Sequence, residues 1–453
     1  MKRMLSLMLL FAYSPLVFAE GDERCEGGLV IGGVDMLSGG RILVKEAGQR
    51  SVPWTAHHLT SMAAHQYNDA NQQLIRDAGY VARLDGTIDF HALTAQIENS
   101  GHVPAFFTAG IDHGVPLADR LNYYFGLPGN HPDTTGQRTN NFEMNDAVSH
   151  APEAIPGLIP MDQVIVSDPM QLVPFVQVLA AKGITAGILK PLNSSGTDLV
   201  REWHSLDEAI AIARSVLGGR DKKGRIVREL VAQRKLLGPE YAIDTVSLGT
   251  HHLINVFKYE KVPIAREQGG FSMAYRAVDI LDPASAISRK LFYFITSVHR
   301  ATGLNVGFDH AEVMVDPTTG GMGLVELNPR PSGWPFAVGV ENAVGTNQVR
   351  AMFDLLEGAA EPHIGKPFQP TRIVFLITPR SGILRRVPTS SDFQALPSFK
   401  YLDPWIQVNS TVQRTGDTAT IPAILVLSHP DEAQVMRDFQ RVLEIERTHL
   451  VVE

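Results

Sequence analysis

The chain has 453 residues, too many for one hydrophobic core, so two to four domains are expected. It is 44% hydrophobic and 19% charged, with 48 acidic against 40 basic residues and a net charge of -8; no dense Lys/Arg run is present, which argues against nucleic acid as a partner. A single cysteine, Cys25, excludes an intramolecular disulfide, a Cys-rich zinc site and a CxxC redox pair, and its acidic neighbours oppose a catalytic thiolate.

Residues 1–19 combine a basic start, Met1-Lys2-Arg3, with an apolar run from Leu5 to Leu16 and a Val17-Phe18-Ala19 end that resembles a cleavage site. They read as a secretory signal, and the run falls short of the roughly 20 apolar residues that a membrane-spanning helix needs. From 20 to 130 short strands and helices alternate as in an α/β layer domain. It opens with a strand over Gly28 to Gly33, a glycine-rich turn, and a helix from Arg41 to Gly48, without GxGxxG. Pro128-Gly129-Asn130 marks a turn at its end.

In 131–360, Ile184 to Leu192 reads as a strand ending in Lys190-Pro191, followed by the small-residue loop Asn193 to Asp198. Ser205-Leu206-Asp207-Glu208 has capping-box spacing, and the helix it starts stops at Gly218-Gly219. Leu230 to Gln233, Tyr241 to Ser247 and His252 to Tyr259 read as strands, and Ala284 to Thr302 as a helix closed by Gly303. Residues 361–453 hold several short strands and an amphipathic helix near Pro430 to Arg447, which predicts a small C-terminal α+β domain.

The chemistry concentrates in His310 to Val315, a turn at Pro317 to Gly321, and Leu324 to Arg330, two halves of a predicted hairpin. Strand alternation puts Ala311, Val313 and Val315 on one face and His310, Glu312 and Met314 on the other; on the return strand Glu326 and Asn328 fall together. Two readings fit this pattern. Polar alternation is normal on a solvated strand face. Two carboxylates and an amide oxygen also suit Mg²⁺, a hard cation that favours oxygen ligands, with Arg330 nearby for phosphoryl charge.

The ordered motif of a metal-binding Glu312, a later Glu326-x-Asn328 and then Arg330 resembles the ATP-grasp superfamily. Ile188 to Pro191 resembles its phosphate-contacting strand, with Lys190 as the lysine, and Ser194, Ser195 and Gly196 lie in what resembles its nucleotide-covering loop. Gln233 to Glu240 resembles the adenine-lining hinge, with Gln233, Arg234 and Leu236 on it and Glu240 as the ribose carboxylate. Within the superfamily, Ala109 to Val115, Leu127 to Asn130, Tyr241 to Ser247 and Asn328 to Trp334 look like the L-amino acid ligases and bacilysin-synthetase-like dipeptide synthetases.

The resemblance implies an ATP-grasp fold, α/β and α+β, with a Rossmann-like pre-ATP-grasp domain (20–130), an ATP-grasp domain (131–360) and a C-terminal α+β domain (361–453). It also implies an enzyme: an ATP-dependent carboxylate–amine ligase working through an acyl phosphate, using ATP with Mg²⁺ or Mn²⁺. Its partners would be small-molecule carboxylate and amine substrates, amino acids first, with a homodimer left open. Lys190 and Arg330 would be catalytic; Glu312, Glu326 and Asn328 would hold the metal; Asp112, His310, Arg330 and Trp334 would meet substrate. Lys258 or Lys261 is a further candidate for the phosphates. The chain departs from the family at Asn141, where a second nucleotide lysine is usual, with Arg138 as a possible stand-in, and at Asp112 and Gln233, where Glu is usual. A second reading is an exported, non-catalytic small-molecule binding protein on the same scaffold, and a third is a ligase of the same fold acting on a non-amino-acid carboxylate; the signal-like segment favours export, whereas a need for ATP favours the cytoplasm.

Overall fold

The computed structural model describes residues 28–453 apart from 38, 63–66, 68, 194–197, 222–223, 266–270 and 417–419. The signal-like segment, Cys25, Ser194, Ser195 and Gly196 therefore lie outside the described residues. Among those described, no helix is long and apolar enough to cross a membrane.

The N-terminal layer is a parallel sheet of β1 (Leu29–Val34), β2 (Trp54–Thr60), β3 (Ala82–Asp85) and β4 (Val103–Ala109), ordered β3-β2-β1-β4. All six residues of β1 are buried, as expected of a central parallel strand covered on both faces. The predicted strand–turn–helix opening is β1 followed by the helix Gly40–Ala47.

A second sheet, antiparallel and ordered β5-β8-β6-β7, is built from β5 (Gln163–Val166), β6 (Gly187–Pro191), β7 (Arg201–Trp203) and β8 (Leu230–Arg234). Its core is closed by the helix Leu206–Val216. The cap of that helix differs slightly from the reciprocal box the spacing predicts. Ser205 Oγ accepts from the Glu208 amide at 3.2 Å, but the Glu208 carboxylate accepts from the amide of His204, one residue before the cap.

The largest sheet has eight strands: β9 (Glu240–Leu248), β10 (Thr250–Ala265), β11 (Phe271–Leu281), β12 (Val306–Val315), β13 (Met322–Glu326), β14 (Thr371–Phe375), β16 (Phe399–Pro404) and β18 (Ala423–Ser428). Their order is β13-β12-β9-β10-β11-β14-β18-β16. The helix Ala286–Thr302 packs beneath it and ends at Gly303, whose φ of 70° is the left-handed cap glycine supplies without strain. β15 (Gly382–Arg386), β17 (Thr411–Val412) and β19 (Val451–Val452) form a small outlying sheet.

The last ninety residues are joined to the centre more tightly than their sequence suggests. β14 pairs with β11, and β18 and β16 continue outward from it. Pairing satisfies the ladder groups that β11 would otherwise leave open at an edge, and Ile373, Phe375, Ile424 and Val426 sit in the same apolar core as β9 and β10.

Candidate functional site

The antiparallel sheet β5–β8 and the near end of the eight-stranded sheet face each other across a cavity of about 490 Å³. From the first come Ile188 and Lys190 on β6, Gln233 and Arg234 at the end of β8, and the connection Lys235 to Glu240. From the second come Tyr259 and Lys261 on β10, Tyr275 on β11, Glu312 and Met314 on β12, and Val325 and Glu326 on β13. The connection turns sharply at Gly238, whose φ is 114°; a Cβ there would stand 2.0 Å from the carbonyl oxygen of Val315, so only glycine fits.

The predicted hairpin is β12–β13, with Glu312 directly opposite Glu326 and a bulge just after Glu312. Alternation is observed: Ala311, Val313 and Val315 enter the core while Glu312 and Met314 line the cavity. Lys190 reaches across from the other sheet, donating from Nζ to the carbonyl of Val325 at 3.3 Å.

Burial dominates the electrostatics of Glu326 and Lys190. It pushes the Glu326 carboxyl up to about 8, helped by Glu312 and Asp112 and opposed by Lys190 and Arg330. It pulls Lys190 below the usual ammonium range, against the pull of Glu326 and Glu312. Glu240 is raised by burial and by Glu312, although Lys261 holds it at 2.5 Å and itself lies 4.8 Å above the Tyr275 ring. These carboxylates are offset in part by Lys190, Arg330 and Lys261.

Not every expected residue lies on the cavity wall. Asn328, beyond the end of β13, donates from Nδ2 to the carbonyl of His310 at 3.0 Å and accepts at Oδ1 from Arg330 Nη2 at 3.0 Å. Arg330 also places Nε 3.4 Å from Asp112, whose buried carboxylate oxygens have no hydrogen-bond partner. Trp334 begins the helix Trp334–Val344 and donates from Nε1 to the hydroxyl of Tyr401 at 3.0 Å, half-buried against the main core. His310 Nδ1 meets Asp244 at 2.6 Å and its Nε2 meets the Tyr259 hydroxyl at 3.1 Å.

Two of the three departures, Gln233 and Asn141, both line the cavity and both give their amide to protein acceptors. Gln233 donates to Gln163 Oε1 at 2.9 Å, and Asn141 donates to the carbonyl of Pro191 at 3.2 Å while lining the cavity. Arg138 does not stand in for the missing lysine. It is fully buried, paired with Asp119 at 2.7 Å and bonded to the carbonyl of Thr302, so its charge is spent on structure.

The sequence reading passed over Asp244, Tyr259, Tyr275 and the Lys235–Glu202 pair at 2.5 Å. A signal existed for the first: an aspartate in the middle of the strand β9, following Tyr241-Ala242-Ile243, must find a partner when buried.

No protein-family model matches the sequence. Among characterised proteins, dapdiamide A synthase from Enterobacter agglomerans is 24% identical over 428 residues, covering 91% of this chain and 95% of the relative. Among solved structures, L-amino acid ligase from Bacillus licheniformis superposes with a TM-score of 0.66 at 14% identity, over 92% of this chain and 98% of that one. Carboxyaminoimidazole ribonucleotide synthase from Aspergillus clavatus, complexed with ATP, gives 0.63 at 13% identity, over 93% and 99%. The chain has the ATP-grasp fold and is similar over nearly its whole length to these proteins, L-amino acid ligase among them.

Proposed function

We propose that the protein is an ATP-dependent ligase that joins a carboxylate to an amine, with amino acids as its substrates and an acyl phosphate between the two half-reactions. The observation that carries this reading is the convergence of Lys190, Glu312 and Glu326, from two separate sheets, on one cavity whose remaining wall is largely apolar. At about 490 Å³ it is within the usual range for a small-molecule site. Met161, Ile188, Val200 and Leu236 offer an apolar slot for a purine, and Glu240 lies at the same wall for a ribose hydroxyl.

The donor set fits a magnesium or manganese ion. Among the described residues no group of three or more His, Cys, Asp or Glu is placed to hold a metal, so Glu312 and Glu326 would need further oxygens from substrate phosphate or Asn328, as Mg²⁺ commonly takes. Bound there, the ion would supply charge neutralisation to the phosphate oxygens. Lys190, buried beside both carboxylates, adds a second positive charge at the same place, and an arriving polyphosphate favours its protonated form.

The substrate carboxylate would attack the γ-phosphate of ATP, forming a C–O–P anhydride and releasing ADP; an amine would then displace phosphate to form the amide. Arg330, on the loop between β13 and the helix Trp334–Val344, offsets negative charge on the transferred group, and Asp112, whose carboxylate has no hydrogen bond and pairs with Arg330 at 3.4 Å, supplies negative charge for a cationic amine.

The test is phosphate release from ATP and Mg²⁺ with a pool of the twenty standard amino acids, followed by mass spectrometry of the products. Condensed dipeptides are expected. Absence of ATP turnover, with ATP-independent capture of an amino acid instead, would replace the ligase by a binding protein on the same scaffold.

A further inference from the structure

Behind the cavity wall runs a chain of buried polar side chains that the scheme above does not use. Asp244 on β9 accepts two hydrogen bonds, from His310 Nδ1 at 2.6 Å and from the Ser332 hydroxyl at 2.8 Å. His310 Nε2 lies 3.1 Å from the Tyr259 hydroxyl, and Tyr259 lines the cavity.

With a neutral imidazole, the direction of each bond follows from the first. A carboxylate only accepts, so Nδ1 of a neutral His310 carries the ring proton and Nε2 is left as an acceptor. Tyr259 must then donate its O–H to His310, which leaves the phenolic oxygen with lone pairs alone to offer a ligand. Glu312, Glu240 and Asp244 are the carboxylates that act on Tyr259 most strongly, so its surroundings disfavour an anion and favour an N–H. Ser332 belongs to the loop that carries Arg330, so the same aspartate fixes both Tyr259 and that loop.

We propose that Tyr259 is a specificity-determining residue that takes an N–H of the amine co-substrate on its phenolic oxygen, with Asp244 and His310 as the positioning residues that impose this polarity. The inference rests on the ligase reading of the cavity. Its structural half does not need turnover.

That half is tested on the full chain with ring-¹⁵N-labelled histidine. His310, assigned by loss of its signals in His310→Gln, should show a protonated Nδ1 and an unprotonated Nε2, and Tyr259→Phe should move the Nε2 resonance. A protonated Nε2 would mean that His310 donates to Tyr259, and the proposal falls. The functional half uses hydroxylamine as the amine, with ATP, Mg²⁺ and the twenty amino acids as carboxylates, and reads the hydroxamate formed. Tyr259→Phe keeps the ring and should raise the KM for hydroxylamine by about 3- to 10-fold, the loss of one hydrogen bond, with the KM for ATP unchanged. An unchanged KM for hydroxylamine, or a shift confined to ATP or Mg²⁺, overturns the assignment. If the wild-type chain forms no hydroxamate while the histidine signals are as expected, the ligase reading has failed, and the role of Tyr259 falls with it.

Discussion

Histidines are buried in two regions of this molecule and treated in opposite ways. In the parallel sheet, His57 and His58 on β2 are 3% and 0% exposed; Nε2 of His57 and both ring nitrogens of His58 have no hydrogen-bond partner. At the eight-stranded sheet, His299 on the helix beneath it and His310 on β12 are each held by a buried aspartate, Asp309 at 2.7 Å and Asp244 at 2.6 Å. Burial alone makes a histidine a neutral, bulky filler; burial with a carboxylate makes it an oriented donor and acceptor. Of these four, His310 is the one that touches the cavity wall, through Tyr259, and the comparison separates packing from site-building more sharply than burial does.

The largest effect should come from the cavity itself. Lys190→Ala is expected to lower ATP turnover by about 100-fold or more, since it removes a positive charge from the place where phosphate charge must be met. His58→Phe should leave turnover unchanged; equal losses in both variants would erase the distinction.

Stability should divide the two regions next. His310→Phe strips Asp244 of its strongest donor and leaves a buried carboxylate with Ser332 alone, costing about 3 kcal/mol in chemical denaturation. His58→Phe exchanges partnerless nitrogens for carbon and should stay within about 1 kcal/mol of wild type. A reversed order would show the Asp244 chain to be dispensable.

The pH dependence sharpens the same contrast. Burial lowers His57 and His58 to about 4, with His102 and Arg83 contributing, from an ordinary 6.5. The unfolded chain therefore takes up protons that the folded chain refuses between these values. Stability is full above pH 6.5 and falls as pH drops toward 4; a melting series over that window should flatten when both are replaced by Phe.

A further effect, in the free enzyme, runs in the other direction. Glu326, raised to about 8, stays protonated in the fold where the unfolded chain has already ionised, so its contribution falls as pH rises from the usual carboxylate range to about 8. Glu326→Gln should remove that slope from the melting curve while reducing turnover; a slope that persists would locate the shift elsewhere.

Local patterns carried far in the sequence. Alternation alone paired Glu312 with Glu326 on one face, glycine ended the helix at Gly303, and the order of Lys190, Glu240, Glu312 and Arg330 pointed to the superfamily. What stayed hidden required contacts between distant strands. Asp244 meets His310 only because β9 and β12 are neighbours, and no spacing along the chain encodes that adjacency. The Lys261–Glu240 pair depends likewise on β9 lying beside β10. Asn328 kept its place in the motif, yet its amide was claimed by His310 and Arg330, a competition visible only in three dimensions.

The order of the central sheet also bears on how the protein is made. β11 holds Tyr275 against the cavity, and its outer edge is covered by β14, which follows about ninety residues later and is itself backed by β18. A nascent chain that has emerged only as far as the Arg330 loop thus has every residue proposed for the chemistry but leaves β11 with an open ladder, free to recruit another strand. The working half of this molecule is sealed last, by a segment whose described residues contribute no side chain to the cavity.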